Sequence, residues 1–519
     1  MLYYDGDRIR MKETGSSVVQ ALAGREKYRD WYLLHKDPIP QDRLLWRAQS
    51  FRHLVHLLPG QTILELGAGR GFFTEQLRKI TRGENPITAV TFQVTDSPPG
   101  NAPLDEPLRL SDLPGELEGR SFDLITGIDI LDERTCVQLL QNVRNLLNPG
   151  GQVVFFESNP WNPVLNIRRF FRNLLGHRDP RMLLGQPQLY ELLSEIGLIR
   201  NLAIFNDFVY APLNRPMARL LRNLSILLEN MPLVRTLAGS ILIFAQKPGE
   251  LLLPAPSLFQ HECLRSAVSV VVPCHNEEMN LLPLVARLLE LYAEYLHEIV
   301  LVDDNSTDRT AEVIRALTIG NPIVRGVFRS PPNGVGRALM DGYNAASGKY
   351  VLSMDCDFIH LLPELRDLFD AAAEGYDVVI GSRFSRHSVL LNYPFQKIVA
   401  NRGFHALARI AFHRDFRDLT NNLKLIKSEV LDRLRLSEPH FAINAETGFQ
   451  PLLMNFSVKE VPISWINRAP GMGASSFRLA KVGGGYWRVL WRLVRETRFG
   501  YRQMQRKSGV LPLEARQNR

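Results

Sequence analysis

The sequence predicts an α/β protein of two large domains, each built on a mainly parallel sheet. Short hydrophobic β-runs alternate with helical stretches through both halves of the chain, a pattern typical of such sheets. The length of 519 residues also exceeds what one ordinary core accommodates. The halves share this alternation but not their motifs, so we expect a fusion of two domains and not a duplication of one.

The composition, with 45% hydrophobic and 22% charged residues, is typical of a soluble globular protein. No run reaches the roughly 18 apolar residues of a membrane span, and the N-terminus lacks an apolar core of signal-peptide length. We therefore expect a cytoplasmic protein. The net charge of +8 comes from residues 471–519, which carry eleven Lys or Arg against two Glu. Nucleic-acid-binding proteins more often have a basic face on the folded domain, so no nucleic-acid partner is predicted.

The N-terminal half is predicted to hold a helical extension at 1–45 and an α/β domain at 46–248. Its first β-run, QTILELGAGRG (61–71), enters a glycine-rich turn, and a helix follows at 71–80. Further β-runs lie at 86–92, 121–130, 151–158 and 240–248. Prolines without a clear period mark 249–266 as the linker.

The glycine-rich turn LELGAGRG (64–71) is a candidate ligand site. Its glycines allow close approach of a ligand, and the helix after it offers free N–H groups. Such a turn is weak evidence by itself, because dinucleotide-binding folds also use one. No GKS or GKT element follows, which excludes a phosphate-binding P-loop.

Together with SFDLITGIDIL (121–131) and LLNPGGQVVFFES (146–158), this turn resembles the class I S-adenosylmethionine-dependent methyltransferases. The resemblance implies a Rossmann-like class I methyltransferase fold that binds S-adenosylmethionine. The residues that it implies at this cofactor are Glu65, Gly67, Gly69, Gly71, Thr91 and, near the adenine, Asp112.

One position departs from that family's pattern. The acid that usually grips the ribose hydroxyls is replaced by Thr91, with Asp96 further on. A threonine offers one hydroxyl but no bidentate carboxylate, so the domain either binds its cofactor more weakly or is a degenerate scaffold. Three polar residues at the pocket mouth are candidates for a base, and equally for ordinary strand-end residues: Asp129, Glu157 and Asn159. The apolar, basic segment 163–175 could cover an acceptor.

The second domain, at 267–482, places acidic residues directly after three hydrophobic β-runs. Ligands of open α/β sheets bind at the carboxyl ends of the strands. The acids gathered at this edge are Glu277, Asp303, Asp304, Asp355 and Asp357. Crowded carboxylates repel one another unless a cation or a donor-rich ligand is present. Because Mg²⁺ and Mn²⁺ prefer oxygen ligands, the pattern predicts a metal–nucleotide site.

The same half resembles the family 2 glycosyltransferases with the GT-A fold, and within them the dolichol-phosphate mannose synthase and polyprenyl-phosphate glycosyltransferase branch. The motifs that carry this resemblance lie at 273–277 (PCHNE), 303–306 (DDNS), 355–357 (DCD), 381–383 (GSR), 418–431 and 458–479. The resemblance implies transfer of a sugar, with inversion, from a nucleotide-sugar donor to a polyprenyl phosphate or another glycan acceptor. A lipid phosphate is already anionic and needs no strong base.

The resemblance also implies residue roles. Asp355 and Asp357 would hold the metal ion on the diphosphate, and Asp357 would count among the catalytic residues. The nucleotide-sugar would contact Pro273, Glu277, Asp303, Asp304, Asp355, Arg383 and Arg478. Arg468 would also stabilise the leaving diphosphate, and Glu446 would lie near the acceptor. Two departures are His275, where tyrosine is common, and a missing lysine for which Arg478 is the nearest cation.

Cysteine does not indicate a metal or redox site. The four cysteines have neither C-x-x-C nor zinc-finger spacing. Cys356 lies between Asp355 and Asp357, where a metal clamp, a reactive thiol and a polar strand end are all conceivable. Strand alternation turns Cys356 away from its two neighbours, so we expect it to be a packed side chain.

The tail at 483–519 is basic and amphipathic. Trp487, Leu490, Trp491 and Val494 recur at helical spacing among arginines. Such a helix favours peripheral contact with an anionic membrane at its inner face, although the stripe can equally pack on the domain. The predicted protein is a bifunctional transferase whose two activities serve one glycan or glycolipid pathway. The alternative is a glycosyltransferase for a soluble glycan or protein, with a degenerate first domain.

Overall fold

The computed structural model describes residues 15–35, 40–92, 108–109, 117–174, 182–209, 215–250, 256–385, 387–391, 393–466 and 479–499. The chain divides into two compact units, Met1–Pro254 and Ala255–Arg519. This division falls within the segment 249–266 that the prolines mark as a linker.

The first unit is an α/β domain. Its helices are α1 (Gly15–His35), α2 (Pro40–Val55), α3 (Phe72–Thr81), α4 (Cys136–Leu146), α5 (Pro163–Leu174), α6 (Gln186–Glu195) and α7 (Arg215–Leu228). Its strands are β1 (Ile63–Leu66), β2 (Ile87–Thr91), β3 (Leu108–Arg109), β4 (Phe122–Ile128), β5 (Leu147–Ser158), β6 (Ile199–Asn206) and β7 (Ser240–Gln246).

These seven strands form one sheet in the order β3-β2-β1-β4-β5-β7-β6. Strands β1 and β4 are buried along their whole length, which accounts for their continuous hydrophobic runs. The chain reverses its direction of travel across the sheet between β1 and β4, where open α/β sheets bind ligands. The sequence predicts a mainly parallel sheet, but strand β7 runs antiparallel to both of its neighbours, β5 and β6. It lies inside the sheet, and the edge belongs to β6, a strand that the sequence reading missed.

Helix α1 is an integral part of the first unit and not a separate extension. Leu22 of α1 is buried in the same hydrophobic cluster as β1 and β4. Arg25 forms an ion pair with buried Asp132 and donates to the carbonyl of Leu131. Helix α1 therefore supplies both apolar and polar contacts to the part of the first unit that lies beyond the predicted boundary at residue 45.

The second unit is also α/β. Its helices are α8 (Glu278–Tyr292), α9 (Thr310–Gly320), α10 (Val335–Ala345), α11 (Leu365–Ala373), α12 (Phe395–Phe412), α13 (Ser428–Leu431), α14 (Ile443–Leu453) and α15 (Leu479–Phe499). Its strands are β8 (Val268–Cys274), β9 (Leu296–Asp303), β10 (Val324–Phe328), β11 (Tyr350–Ser353), β12 (Val378–Ser382), β13 (Val389–Leu391), β14 (Lys424–Lys427), β15 (Val458–Pro462) and β16 (Ser464–Ile466).

The main sheet of the second unit has the order β10-β9-β8-β11-β14-β12-β15, and β13 pairs with β16 separately. Strand β14 runs antiparallel to both of its neighbours, so this sheet is mixed. Strands β9, β8 and β11 are parallel and adjacent, which brings their carboxyl ends to one edge.

Helix α15 packs on the second unit through part of its predicted apolar stripe. Leu490 and Val494 are buried in a cluster with residues of α12 and α14, together with Val489 and Leu493. The packing that the sequence reading gave as one alternative is thus confirmed for these residues. In the described part of the chain, no helix is both long and apolar enough to cross a membrane.

Candidate functional site

The structure brings the three acid-bearing segments of the second unit to one edge of its sheet. Cys274, at the end of β8, pairs with Asp303 at the end of β9. On the other side of β8, Ser353 at the end of β11 pairs with Val271. Asp304 and Asp355 follow these paired ends, as the order of hydrophobic runs and acids predicts.

Asp355 is the most strongly perturbed acid at this edge. Burial, together with the neighbouring Asp357 and a smaller contribution from Glu277, raises its pKa to about 7. The side-chain amide of Asn422 donates to Asp355 Oδ1 at 2.7 Å and, with Arg383, opposes the shift. These mutual effects show that the carboxylates share one electrostatic environment.

The donor set fits a hard divalent cation. In the described ranges, no group of three or more His, Cys, Asp or Glu side chains is arranged to hold a metal ion. The Asp355 carboxylate, which has Asp357 as an electrostatic neighbour, is bonded to Asn422, whose Oδ1 is buried and accepts no hydrogen bond. Oxygen donors of this kind suit Mg²⁺ or Mn²⁺, which commonly take their other ligands from substrate phosphates and water.

The acids that follow β8 and β9 also shape the loops. The Asp304 carboxylate pairs with Arg329 and accepts from the amide of Gly334 at 2.7 Å. Glu277 Oε2 accepts from Asn280 Nδ2 at 2.5 Å. His275 Nδ1 lies 3.0 Å from the carbonyl oxygen of Asp304. These contacts fix the edge of the site, and the roles of the acids toward a nucleoside stay predictions.

Arg383 is held by a buried carboxylate. Its Nε and Nη2 donate to the two carboxyl oxygens of Asp418 at 2.7 and 2.9 Å. Burial alone would raise the pKa of Asp418, but Arg383 holds it well below its usual range. Burial lowers the pKa of the adjacent His405 to about 4, and its Nε2 accepts from the amide of Leu419. The ionised Asp418 thus holds the guanidinium of Arg383 in place.

Lys424 is a residue of this site that the sequence reading missed. It begins β14 opposite Ser353 of β11, and its side chain is fully buried. Its Nζ donates to the carbonyl of Asn444 and to Thr447 Oγ1, both at 2.9 Å. Burial lowers its pKa to about 7, while Asp418 and Asp355 favour its charged form. The sequence feature that could have indicated this residue is a lysine at the start of a hydrophobic run.

Glu446 occupies a structural position. Its carboxylate accepts from the amides of Ser437 and Glu438 at 2.9 and 3.1 Å and from the Ser437 hydroxyl at 2.9 Å. It also pairs with Arg492 of α15. Four donors fill the acceptor sites of one carboxylate, so the structure argues against the predicted acceptor-side role. Predictions for Arg468, Arg478, Asp112 and Asp96 lie outside the described residues.

The glycine-rich turn of the first unit has the expected backbone. Gly67, Gly69 and Gly71 have φ of 72°, 58° and 76°, a left-handed region that favours glycine. Glu65 is buried just before them and accepts from Thr74 Oγ1 at 2.6 Å. Burial raises the pKa of Glu65 to about 7.

Helix α1 provides the carboxylate that Thr91 lacks. Glu26 accepts from the amide of Gly69 at 2.6 Å, from Thr91 Oγ1 at 2.9 Å and from the amide of Phe92 at 3.1 Å. Its carboxylate therefore lies at the end of β2, where the sequence reading found no acid. A second acid of α1, Asp30, accepts from the amide of Arg70 at 3.0 Å. The only signal was a pair of acids four residues apart in REKYRD.

The candidate bases of the first unit have structural partners. The Glu157 carboxylate accepts from the amides of Ile130 and Leu131 at 2.8 and 2.9 Å. Burial, reinforced by Asp129, raises the pKa of Glu157 to about 8. Asn159 is buried and donates to backbone carbonyls of 236–238. These contacts favour the interpretation of ordinary strand-end residues.

Comparisons with known proteins match the second unit. The family model for glycosyl transferase family 2 matches residues 269–435. The dolichol-phosphate mannosyltransferase of Pyrococcus furiosus is 31% identical over 230 residues, 44% of this chain and 64% of that protein. This chain therefore spans a little under two thirds of that relative. The polyprenol monophosphomannose synthase of Mycolicibacterium smegmatis is 30% identical over 236 residues, 44% of this chain and 88% of that protein.

Solved structures show a more distant likeness. A crystal structure of glucosyl-3-phosphoglycerate synthase from Mycobacterium tuberculosis, in complex with Mn²⁺, uridine diphosphate and phosphoglyceric acid, is 22% identical. The match covers 46% of this chain and 80% of that one, with a TM-score of 0.36. The family model, by contrast, spans the strands β8 to β14 and the acid-bearing edge. Through its second unit, the chain belongs to glycosyl transferase family 2.

Proposed function

We propose that the second unit transfers a sugar, with inversion, from a nucleotide-sugar donor to a polyprenyl phosphate. The observation that carries this proposal is the meeting of Asp355 and Asp357 with the fixed guanidinium of Arg383 at the ligand-binding edge of the sheet. The names of the two curated relatives, a dolichol-phosphate mannosyltransferase and a polyprenol monophosphomannose synthase, support this acceptor class.

The acidic residues and the arginine of the site have different roles in this proposal. Asp355 and Asp357 would hold Mg²⁺ or Mn²⁺, which when bound neutralises charge on the donor diphosphate. Arg383 presents a cation to the leaving nucleoside diphosphate, and its bond to Asp418 keeps the guanidinium from reorienting during the reaction. An anionic lipid phosphate attacks the anomeric carbon without a protein base, which agrees with the full engagement of Glu446 in structural bonds.

Donor hydrolysis without acceptor tests this proposal most directly. We expect purified full-length protein, supplied with Mg²⁺ or Mn²⁺ and a panel of nucleotide-sugars, to release nucleoside diphosphate from one of them. Asp357→Ala should abolish this release, and Asp432→Ala is the matched control because Asp432 is an exposed acid directly after α13. Release that persists in Asp357→Ala with a chelator present would refute the metal role.

The rival acceptor is a soluble glycan or protein, and an exposed face of the second unit favours the lipid. Trp487 and Trp491 of α15 are 44% and 66% exposed, beside α12 with its exposed Leu407 and Ile410. Phe404 of α12 contacts Trp487, with ring centroids 6.0 Å apart. Tryptophan and aliphatic side chains among arginines suit a membrane surface, so we propose peripheral attachment there.

Vesicle sedimentation separates the two acceptor classes. We expect Trp487→Ala/Trp491→Ala to reduce pelleting with vesicles that contain phosphatidylglycerol, and high salt to reduce pelleting of the parent protein. Equal pelleting of parent and variant would contradict attachment through this face.

A second candidate function, transfer of a methyl group from S-adenosylmethionine, belongs to the first unit. Its support is the left-handed glycine turn with the Glu26 carboxylate at the end of β2, where ribose hydroxyls could donate to it. The amides of Gly69 and Arg70 already donate to α1, so a nucleoside would meet the carboxylates of α1 instead. When bound, S-adenosylmethionine supplies an activated methyl group. Titration calorimetry of the full-length protein with S-adenosylmethionine tests this proposal, and absence of heat would favour the degenerate scaffold.

A further inference from the structure

The first unit exposes an apolar helix face that neither proposed reaction uses. Helix α5 carries Ile167, Phe170, Phe171 and Leu174 at the i, i+3, i+4, i+7 spacing of a single face. These residues, the α5 face, are 56%, 65%, 56% and 73% exposed. A stripe with this spacing ordinarily faces a protein core, but on α5 it points outward.

The exposed apolar surface continues beyond the N-terminus of α5. Trp161 is 47% exposed, and Leu233, in the turn after α7, is 85% exposed. Asn159 and Asn162 are buried and join these segments, because their side chains donate to backbone carbonyls of 236–238 at 2.6–2.9 Å. The α5 face is therefore anchored to the domain at its N-terminal end.

The charge of α5 indicates which kind of partner its exposed face would bind. Helix α5 contains three arginines and no acidic residue. A second copy of the same face would bring like charges together, which is unfavourable. Anionic lipid headgroups attract cationic side chains near the membrane surface.

We propose that the α5 face docks the first unit on an anionic lipid membrane. Phe170, Phe171 and Leu174 would enter the boundary between headgroups and acyl chains, and the arginines of α5 would remain at the headgroups. With 12 residues, α5 is about 18 Å long and too short for a hydrocarbon core of about 30 Å, so it lies in the interface plane. This inference does not rest on methyl transfer or on the sugar acceptor.

Sedimentation of the full-length protein with vesicles tests the proposal. The Trp487→Ala/Trp491→Ala background removes the proposed contact of the second unit, and the vesicles are phosphatidylcholine with or without phosphatidylglycerol. In this background, Phe170→Ser/Phe171→Ser should weaken partition onto the anionic vesicles on the order of tenfold for each phenylalanine. Leu174→Ser, at the most exposed position of the face, should weaken it in the same direction.

Ile319→Ser is the matched control, because Ile319 is an isolated exposed side chain on α9 of the second unit and is 88% exposed. It should leave partition unchanged, and Arg168→Gln/Arg169→Gln should weaken partition only on anionic vesicles. Equal partition of the parent, Phe170→Ser/Phe171→Ser and Leu174→Ser would overturn the proposal. A dimer in analytical ultracentrifugation that Phe170→Ser/Phe171→Ser dissociates, with vesicle partition unaltered, would also overturn it and identify a second copy as the occupant.

Discussion

Asp355 links the chemistry of the sugar site to pH. Burial and Asp357 raise its pKa to about 7, so below about pH 7 the apo protein holds a proton there that a cation must displace. We expect Mn²⁺ affinity, measured by titration calorimetry, to fall by up to about tenfold per pH unit as pH drops below 7. Affinity that stays constant between pH 7 and pH 5 would contradict this assignment.

The raised pKa of Asp355 also determines how the stability of the fold changes with pH. Because the folded pKa of Asp355 lies above the ordinary aspartate value of 3.8, the folded state binds more protons between about pH 4 and 7. Its contribution is therefore lost as pH rises through this window in the absence of a cation. Asp355→Asn should flatten this part of the stability–pH profile, and Asp432→Asn, at an exposed acid directly after α13, should leave it unchanged.

In the first unit, Glu26 is the residue whose substitution tests the proposed binding of S-adenosylmethionine. If its carboxylate accepts ribose hydroxyls, Glu26→Gln should weaken S-adenosylmethionine binding on the order of tenfold, because one oxygen acceptor becomes a donor. Glu75→Gln is the control, since Glu75 is a partly exposed acid that pairs only locally with Lys79. Tighter binding by Glu26→Gln would instead show that α1 competes with the cofactor.

The position of a single residue could be predicted from the sequence where the neighbouring residues along the chain determine it. The acids after β8, β9 and β11 follow hydrophobic runs, so strand order alone brings them together. Glu26 could not be placed in this way, because its partner Thr91 lies 65 residues away along the chain. The partners of Lys424 likewise come from α14, a separate element.

At the scale of elements, the helical spacing of apolar residues predicted where helices form, but it did not predict which side of a helix faces the core. The predicted stripe of α15 is divided, because Leu490 and Val494 are buried while Trp487 and Trp491 are exposed. Strand β6 escaped prediction because five of its eight residues are exposed or partly exposed and its run is broken by Arg200 and Asn201. Tertiary contacts decide both cases.

The packing of α15 predicts a measurable contribution to stability. Leu493 is 1% exposed among α12 and α14, so Leu493→Ala should lower the free energy of unfolding by about 2–5 kcal/mol. Trp491→Ala, two residues away and 66% exposed, should change it by less than about 0.5 kcal/mol. Urea unfolding of the full-length variants measures the difference, and equal midpoints would show that α15 is not part of this core.

At the scale of the whole molecule, the chain combines two compact units with separate candidate sites. Each site is built from residues of its own unit: Glu26, Gly69 and Thr91 in the first, and Asp355, Asn422 and Arg383 in the second. No residue contributes to both sets, so the two ligand-binding reactions should be separable by mutation.

Reciprocal variants of the full-length protein test this separation. Asp357→Ala should abolish release of nucleoside diphosphate and leave the heat of S-adenosylmethionine binding unchanged. Gly67→Arg should do the reverse, because a side chain at φ 72° strains the turn and its Cβ would lie 3.2 Å from Ile130. Matching thermal melting curves exclude general unfolding as the cause. If either variant removed both signals without unfolding, the two sites would be coupled, and the proposal that they act independently would be wrong.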